Sequence, residues 1–223
     1  IVPTVIAWLN GRILVGEGAS QMKYQLKKGK NIWYSFKMEL GEDLGAKYYD
    51  SELREVDPFR IKNPVDAARV FFAYLKYLII KYCTENNIST DILYAVSIPA
   101  SFEANQRKDL LDALMANDMK VSKQALIDEP NAAFISYAVS RAAEDRPMFI
   151  SPDYNSKVLV FDFGGGTCDI SILEIGQSAN GFFSKNIAIS KFTKLGGDDI
   201  DRYITYHYLM PRFLEANGKN KEQ

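Results

Sequence analysis

The sequence predicts an α/β protein, and three observations carry this prediction. Apolar residues make up 47% of the 223 residues, so the chain can fold around substantial cores. Short runs rich in Val, Ile and Phe, which are typical of buried strands, alternate with longer segments of helical periodicity. Glycine-rich turns stand at the ends of several of these runs. Strands and helices that alternate in this way indicate a mixed α/β architecture.

The charge balance and the cysteine content exclude several classes of protein. The chain has 27 Lys and Arg residues and 28 Asp and Glu residues, so it has no net positive charge that would attract nucleic acid. No apolar run is long enough to span a membrane, so we expect no membrane partner. Two cysteines are too few for a disulfide framework and suit a reducing compartment, which favours a cytoplasmic location. A single histidine leaves no basis for a His-based metal site.

The chain begins with a predicted β-hairpin. Strands at 2–9 and 12–15 are joined by Asn10 and Gly11, the residue pair that type I′ turns prefer. A local group of basic residues follows and is interpreted as part of a solvated loop: Lys23, Lys27, Lys28 and Lys30.

A long helix is predicted at 64–87. Asn63 is a suitable N-cap, and Pro64 suits the first helical position because its missing N–H is not needed there. Apolar residues at helical spacing form a stripe that is predicted to face the core: Val65, Ala68, Phe72, Leu75, Ile79 and Tyr82.

Strand, helix and strand follow in the middle of the chain. A strand is predicted at 91–98 and ends before Pro99, which cannot donate a ladder hydrogen bond. A helix is predicted at 103–115 with Ser101 as its cap, and a second strand at 124–128.

Glu129 stands at a predicted strand-to-helix corner, because Pro130 after it is a good first helical residue. Ligands of α/β sheets bind where strands end, so a carboxylate at this corner is well placed to orient a water molecule. The alternative is an acid that caps the helix and takes part in no chemistry.

Residues 158–173 predict a hairpin with a glycine-rich tip. After an apolar run that ends at Asp162, the tip comprises Gly164, Gly165, Gly166 and Thr167. Successive N–H groups of such a turn form a nest for phosphate, and the Thr167 hydroxyl adds a donor. Asp162, at the end of the strand, is placed to hold a hydrated Mg²⁺ beside the phosphates. The alternative is a plain tight turn, although three consecutive glycines cost backbone entropy.

The segments around this hairpin complete the predicted organisation. A polar, proline-bearing loop at 142–156 precedes it and is the best boundary between two lobes. A further strand is predicted at 182–192 and a helix at 199–214, with Gly196 and Gly197 just before the helix.

The spacing Asp-x-Gly-Gly-Gly-Thr-x-Asp at 162–169 resembles the second phosphate loop of the actin-like ATPases, and most closely that of the DnaK-type (heat-shock 70 kDa) chaperones. The resemblance extends over nearly the whole chain. It implies an actin-like ATPase (ribonuclease H-like) fold, present as an incomplete two-lobe nucleotide-binding domain. The first lobe would comprise 1–143, a linker loop 144–156, and the start of the second lobe 157–223.

Two segments of the first lobe carry the resemblance. Asn31, Lys37 and Gly41 match the family's Asn, Lys and Gly, in which the lysine points its amine at the γ-phosphate. A later segment is similar to the family's Val-Pro-Ala-x-Phe…Gln-Arg, and its Pro99 and Arg107 fall on residues that relay nucleotide state to the surface. Without the resemblance, Lys37 would be an ordinary surface lysine and Pro99 the end of a strand.

Two further segments extend the match. The segment at Glu129 is similar to the family's Asn-Glu-Pro-Thr-Ala-Ala, with Asp128 in place of Asn and Asn131 in place of Thr. The later Leu-Gly-Gly-Asp-Asp resembles the family's Leu-Gly-Gly-x-Asp, where the amides of Gly196 and Gly197 would face the nucleotide. Acids at the start of a helix are also ordinary capping chemistry.

The resemblance implies a chaperone domain that binds ATP or ADP with Mg²⁺, hydrolyses ATP slowly and uses the nucleotide as a conformational switch. Glu129 would orient the attacking water and Lys37 would neutralise the γ-phosphate. Residues 164–167 would hold the phosphates and Asp162 the Mg²⁺ through water. Client polypeptides and co-chaperones would bind through regions outside this chain.

The rival hypotheses are a small-molecule kinase, which needs an acceptor pocket and a base, and a non-hydrolysing binding or polymerising protein, which needs no Glu129.

The family's first phosphate hairpin has no counterpart in the sequence, which begins at Ile1 in a strand-like pattern. The family's adenosine-binding segment would also lie beyond residue 223. From the resemblance we therefore expect that these 223 residues alone are not a competent ATPase, because one side of the phosphate charge would face water.

Overall fold

The computed structural model describes residues 1–43, 45–121, 126–144, 155–178, 181–190 and 195–219. The chain forms two compact units. The first unit comprises 1–98 and 102–127, and the second comprises 99–101 and 128–223. Most of the predicted linker at 144–156 lies outside the described residues, so the two predicted lobes stay a prediction.

The first unit begins with a three-stranded antiparallel sheet. It contains β1 (Val5–Leu9), β2 (Arg12–Val15) and β3 (Ile32–Tyr34) in the order β2-β1-β3. The predicted hairpin is confirmed: Asn10 and Gly11 have φ of 52° and 75°, as a type I′ turn requires. The first strand begins at Val5 rather than at residue 2, because Pro3 has no N–H for the ladder. Helix α1 (Glu17–Ser20) follows and buries Ala19 against the sheet.

Helix α2 (Pro64–Glu85) is the longest element, and its predicted start is confirmed. The Asn63 side chain accepts a hydrogen bond from the backbone N–H of Asp66 at 2.8 Å. The predicted core stripe is confirmed for Ala68, which is buried, and is wrong for Ile79 and Tyr82, which are exposed; its other three members are partly buried. The buried residues of α2 are Pro64, Ala67, Ala68, Val70, Phe71 and Cys83.

The reason for this error is that α2 is apolar on more than one face, so periodicity alone does not decide which face is buried. Packing decides it. Phe71 makes an edge-to-face contact with Phe36, with ring centroids 6.1 Å apart. Phe36 begins a short 3₁₀ helix, Phe36–Glu39, that contacts α2.

The middle of the chain contains β4 (Val96–Ile98), α3 (Ala104–Met115) and β5 (Leu126–Asp128), with β4 paired to β5. The strand predicted at 91–98 is five residues too long at its start. Residues 91–95 are not in a strand, and the Tyr94 N–H donates to the Lys120 carbonyl at 3.2 Å instead of to a neighbouring strand. The described part of the strand predicted at 124–128 is confirmed.

Ser101 is not the cap of α3, contrary to the prediction. Glu103 occupies the N-cap position, and its backbone N–H donates to the Gln106 side chain at 2.9 Å, as in a capping box. The Ser101 hydroxyl is engaged elsewhere, because it donates to Asp169 Oδ1 at 2.5 Å within the second unit.

The second unit is built on an antiparallel meander. Strands β6 (Asn155–Phe163), β7 (Cys168–Ser178) and β8 (Gly181–Ile189) pair in chain order. Helix α4 (Glu129–Ala143) covers this sheet, and its Phe134 packs with Leu173 and Ile175 of β7 in a buried cluster. The strand predicted at 182–192 is found as β8, which ends at Ile189 rather than continuing through Ser190, and residues 191–192 lie outside the described part.

The chain then forms one continuous helical stretch. Helix α5 (Gly197–Ile204) leads through a π-helical turn (Thr205–Leu209) into α6 (Met210–Ala216). The predicted helix at 199–214 is therefore confirmed, with a start two residues earlier. None of the helices in the described ranges combines the length and apolar character that crossing a bilayer requires.

Candidate functional site

The glycine-rich tip predicted at 164–167 is the turn between β6 and β7. Phe163 pairs with Cys168, and the Gly164 N–H donates to the Thr167 carbonyl at 2.9 Å, which closes the turn. Asp162 lies directly opposite Asp169 in the same ladder. The turn therefore stands at the end of two long, paired strands that fix its position.

Three successive amides of this turn are open. Among the described residues, no hydrogen-bond acceptor lies in reach of the N–H groups of Gly165, Gly166 and Thr167. Gly165 is exposed, and the other two residues are partly exposed. Neighbouring backbone N–H groups without internal partners form an anion-binding concavity. This is the arrangement that the sequence predicts for phosphate.

The second glycine segment is in direct contact with the first. The N–H of Gly197 donates to the Gly164 carbonyl at 3.0 Å, and the N–H of Asp198 donates to the Gly165 carbonyl at 2.8 Å. A Cβ on Gly196 would lie 2.4 Å from the Gly165 oxygen. Gly196 has an extended φ of −156°, so glycine is needed here for close approach and not for an unusual backbone conformation.

This contact gives Gly196 and Gly197 a role that the sequence does not reveal. The Gly196 N–H donates to Asp199 Oδ2 at 3.0 Å, and the next two amides donate to carbonyls of the turn. The first amides of α5 are thus used within the protein and hold the turn in place. Their predicted direct contact with a nucleotide stays a prediction.

Carboxylates surround the turn. Asp162 is exposed, Asp169 is 5% exposed and accepts from Ser101, and Asp198 Oδ1 lies 3.8 Å from the position of a Cβ built on Gly165. These negative charges repel a bare phosphate, so an anion here requires a cation to accompany it. No three ligating side chains cluster in the part of the chain that the structure describes.

Glu129 is the first residue of α4 and directly follows β5, as predicted. It is partly buried. The start of α4 is tied to β8, because Asn186 Nδ2 donates to Asp128 Oδ2 at 2.7 Å. Asn186 pairs with Leu173 of β7. Leu173 is five residues from Cys168 at the turn, which is about 17 Å along the strand at the usual rise per residue. This contact ties the end of β5, just before α4, to β8, and the role of Glu129 stays a prediction.

The remaining predicted residues belong to different parts of the fold. Lys37 is exposed in the 3₁₀ helix Phe36–Glu39 of the first unit, with buried residues on both sides of it. Arg107 lies on α3 and donates from Nε to the Phe102 carbonyl at 2.9 Å. Pro99 follows β4 and is fully buried in the second unit. The predicted γ-phosphate contact of Lys37 and the predicted relay through Pro99 and Arg107 stay predictions.

Sequence reasoning misses the partner of Asp169. Ser101, which is 68 positions away, donates to the carboxylate directly across the ladder from Asp162. A serine two residues after Pro99 gives no signal of this contact, since the contact depends on the tertiary fold.

The sequence model of the family described as Hsp70 protein matches residues 1–223, which is the full printed sequence. Proteins of this family are chaperones, are generally ATPases, and bind ATP or ADP with Mg²⁺ together with client polypeptides and co-chaperones. The family implies an actin-like ATPase fold, and the mixed α/β architecture with its glycine-tipped hairpin is consistent with it. The chain therefore belongs to the Hsp70 family, and the match supports an Hsp70-like nucleotide-binding domain.

Proposed function

We propose that this domain binds the phosphates of Mg-ATP and Mg-ADP at the turn between β6 and β7. The three open amides of Gly165, Gly166 and Thr167 are the observation that carries the proposal. Hydrogen bonds from backbone N–H groups to a charged phosphate are stronger than those between neutral groups. The Thr167 hydroxyl supplies one more donor.

Mg²⁺ is part of this proposal because of the local charge. Asp162 and Asp198 place negative charge beside the turn, and a divalent cation offsets both these carboxylates and the nucleotide phosphates. Asp162 would hold the ion through water molecules of its shell. When bound, Mg²⁺ polarises the phosphates and spreads their charge.

For hydrolysis, we propose that Glu129 orients the attacking water and that Lys37 neutralises charge on the γ-phosphate. Both roles rest on the match to family positions and on the chemistry of a carboxylate and an ammonium. The nucleotide acts as a conformational switch, and Pro99 and Arg107 carry its state to a surface that client polypeptides or co-chaperones sense. The two free cysteines, Cys83 and Cys168, fit a cytoplasmic location, which is also a proposal.

The substitution Gly165→Val tests the phosphate site in the full-length protein. A Cβ at this position would contact no described atom closer than Asp198 Oδ1 at 3.8 Å, so the fold should tolerate the change. The side chain would occupy the space above the open amides. Losing two amide–phosphate hydrogen bonds, at about 1.5 kcal/mol each, weakens ATP binding by roughly a hundredfold.

Isothermal titration calorimetry with Mg-ATP measures this loss. Gly18→Val is a matched control, because a Cβ there also meets nothing within 4 Å and the site lies in the first unit, on α1. The proposal expects wild-type affinity for the control. Unchanged ATP affinity in a folded Gly165→Val protein would refute the phosphate site.

A further inference from the structure

A second candidate site lies in the first unit, in a cavity of about 280 Å³ that none of the proposed nucleotide residues lines. The cavity is formed by the β3 region and the two 3₁₀ helices, Phe36–Glu39 and Gly45–Tyr48. Its walls include three aromatic rings and three charged groups: Trp33, Tyr34, Tyr48, Lys28, Glu39 and Lys47.

The one carboxylate among the residues that line this cavity already has three partners. Glu39 is 7% exposed, and its Oε2 accepts from the Tyr48 hydroxyl at 2.8 Å. Its Oε1 lies 3.5 Å from Nζ of both Lys28 and Lys47. Burial first, and then the nearby Glu39 carboxylate, raise the pKa of Tyr48, so its hydroxyl stays protonated and remains a donor. Glu39 therefore has little capacity left for a cationic ligand.

The two ammonium groups, in contrast, keep free donors. Each has three N–H donors, and Glu39 is the only carboxylate within ion-pair distance of Lys28 or Lys47 among the described residues. Because both nitrogens lie 3.5 Å from the same oxygen, they are at most about 7 Å apart. Lys23 adds positive charge nearby, since its Nζ and that of Lys28 lie 4.9 and 4.6 Å from the centre of the Tyr34 ring. The cavity thus carries a net positive charge.

The backbone that carries the two lysines is fixed. Gly29, next to Lys28, has φ of +80°, and a Cβ there would lie 2.4 Å from the Lys47 carbonyl oxygen. The Gly29 N–H also donates to the Ile32 carbonyl at 2.9 Å. Glycine is required at this contact, which holds the two lysine-bearing segments together. A site with a fixed backbone loses less entropy when a ligand binds.

We propose that this cavity binds a small organic phosphate. The phosphate group lies between the ammonium groups of Lys28 and Lys47, and the flat organic part packs against the partly exposed ring of Tyr34. A phosphate carries about −1.5 to −2 charges at neutral pH and three terminal acceptor oxygens, so it can accept from both lysines at once. The Tyr34 ring, which is partly exposed, offers apolar area for an unsaturated ring. This site is separate from the turn at 164–167 and does not rest on the proposed function.

The probe for this site is phenyl phosphate. Its binding to the full-length protein is measured by ligand-observed NMR. Saturating Mg-ATP is present, so that the nucleotide site is occupied. Lys28→Gln and Lys47→Gln should each weaken phenyl phosphate binding by roughly tenfold, the effect of one charge-assisted hydrogen bond. Both side chains are about half exposed, so the variants should melt at the wild-type temperature.

Lys30→Gln is the matched control. Lys30 lies in the same loop with 45% of its side chain exposed, but it pairs with Glu52 at 3.7 Å and does not line the cavity. We expect this variant to bind phenyl phosphate as the wild type does. The proposal is overturned if Lys28→Gln and Lys30→Gln bind equally well, if phenyl phosphate does not bind the wild type, or if phenyltrimethylammonium binds in its place.

Discussion

The substitution Gly196→Ala probes the contact between the two glycine segments. A Cβ on Gly196 would lie 2.4 Å from the Gly165 oxygen and 2.6 Å from the Gly166 nitrogen. These distances are about 1 Å shorter than a normal non-bonded contact. All the clashing atoms belong to the backbone, so no side chain can rotate away. Either the phosphate turn or the start of α5 must move.

The size of the effect follows from what moves with the turn. A shift of about 1 Å lengthens the hydrogen bonds from Gly197 to Gly164 and from Asp198 to Gly165, which measure 3.0 and 2.8 Å. Overpacking of this kind costs about 1–3 kcal/mol of stability. The same shift misaligns the open amides, so ATP affinity should fall by roughly ten- to a hundredfold, since each well-aligned charged hydrogen bond contributes about 1.5–3 kcal/mol.

The neighbouring glycine provides the control. A Cβ on Gly197 would lie 3.8 Å from its nearest atoms, the Gly164 oxygen and the Gly165 Cα, which is an ordinary contact. Gly197→Ala should therefore keep ATP affinity by calorimetry and keep the denaturant midpoint. If Gly196→Ala also binds ATP like the wild type, the turn is not held by this contact and the argument is wrong.

Three further predictions concern hydrolysis, coupling and stability. Glu129→Ala should retain ATP while single-turnover hydrolysis falls by roughly ten- to a thousandfold, because water is no longer oriented; unchanged turnover would leave Glu129 as a helix cap. Arg107→Ala should keep single-turnover hydrolysis but remove the difference in client-peptide affinity between the ATP and ADP states, measured by fluorescence anisotropy, and a preserved difference would argue against the relay. Asn63→Ala should lower the free energy of unfolding by about 1 kcal/mol in urea titration, since its side chain accepts from Asp66 N–H at 2.8 Å; an unaltered midpoint would contradict that role.

Local signals in the sequence were sufficient for several elements. Asn10 and Gly11 predict the first hairpin because both residues tolerate the positive φ that they adopt. Asn63 and Pro64 predict the start of α2 because capping chemistry is local. The glycine tip at 164–167 is likewise found where the apolar runs place it.

Features that depend on tertiary contacts could not be predicted. The buried face of α2 is chosen by packing with partners such as Phe36, and the Ser101 hydroxyl bonds to Asp169 rather than to a helix end. The contact of Gly196 with Gly165 joins residues 31 positions apart, so spacing gives no sign of it. The same holds for the ion pairs of Glu39, which require the fold to bring Lys28 and Lys47 to one oxygen. Intrinsic propensity is a weak guide in such places because tertiary context overrides it.

The most direct test of the account follows the backbone amides of Gly165, Gly166 and Thr167 by ¹⁵N–¹H NMR. The full-length protein is titrated first with Mg-ATP and then, in a separate sample, with adenosine and Mg²⁺. These three amides have no acceptor among the described residues, so a bound phosphate should shift their signals strongly and adenosine should not. If Mg-ATP binds and these three signals stay unchanged, the phosphates lie elsewhere and the central claim is contradicted.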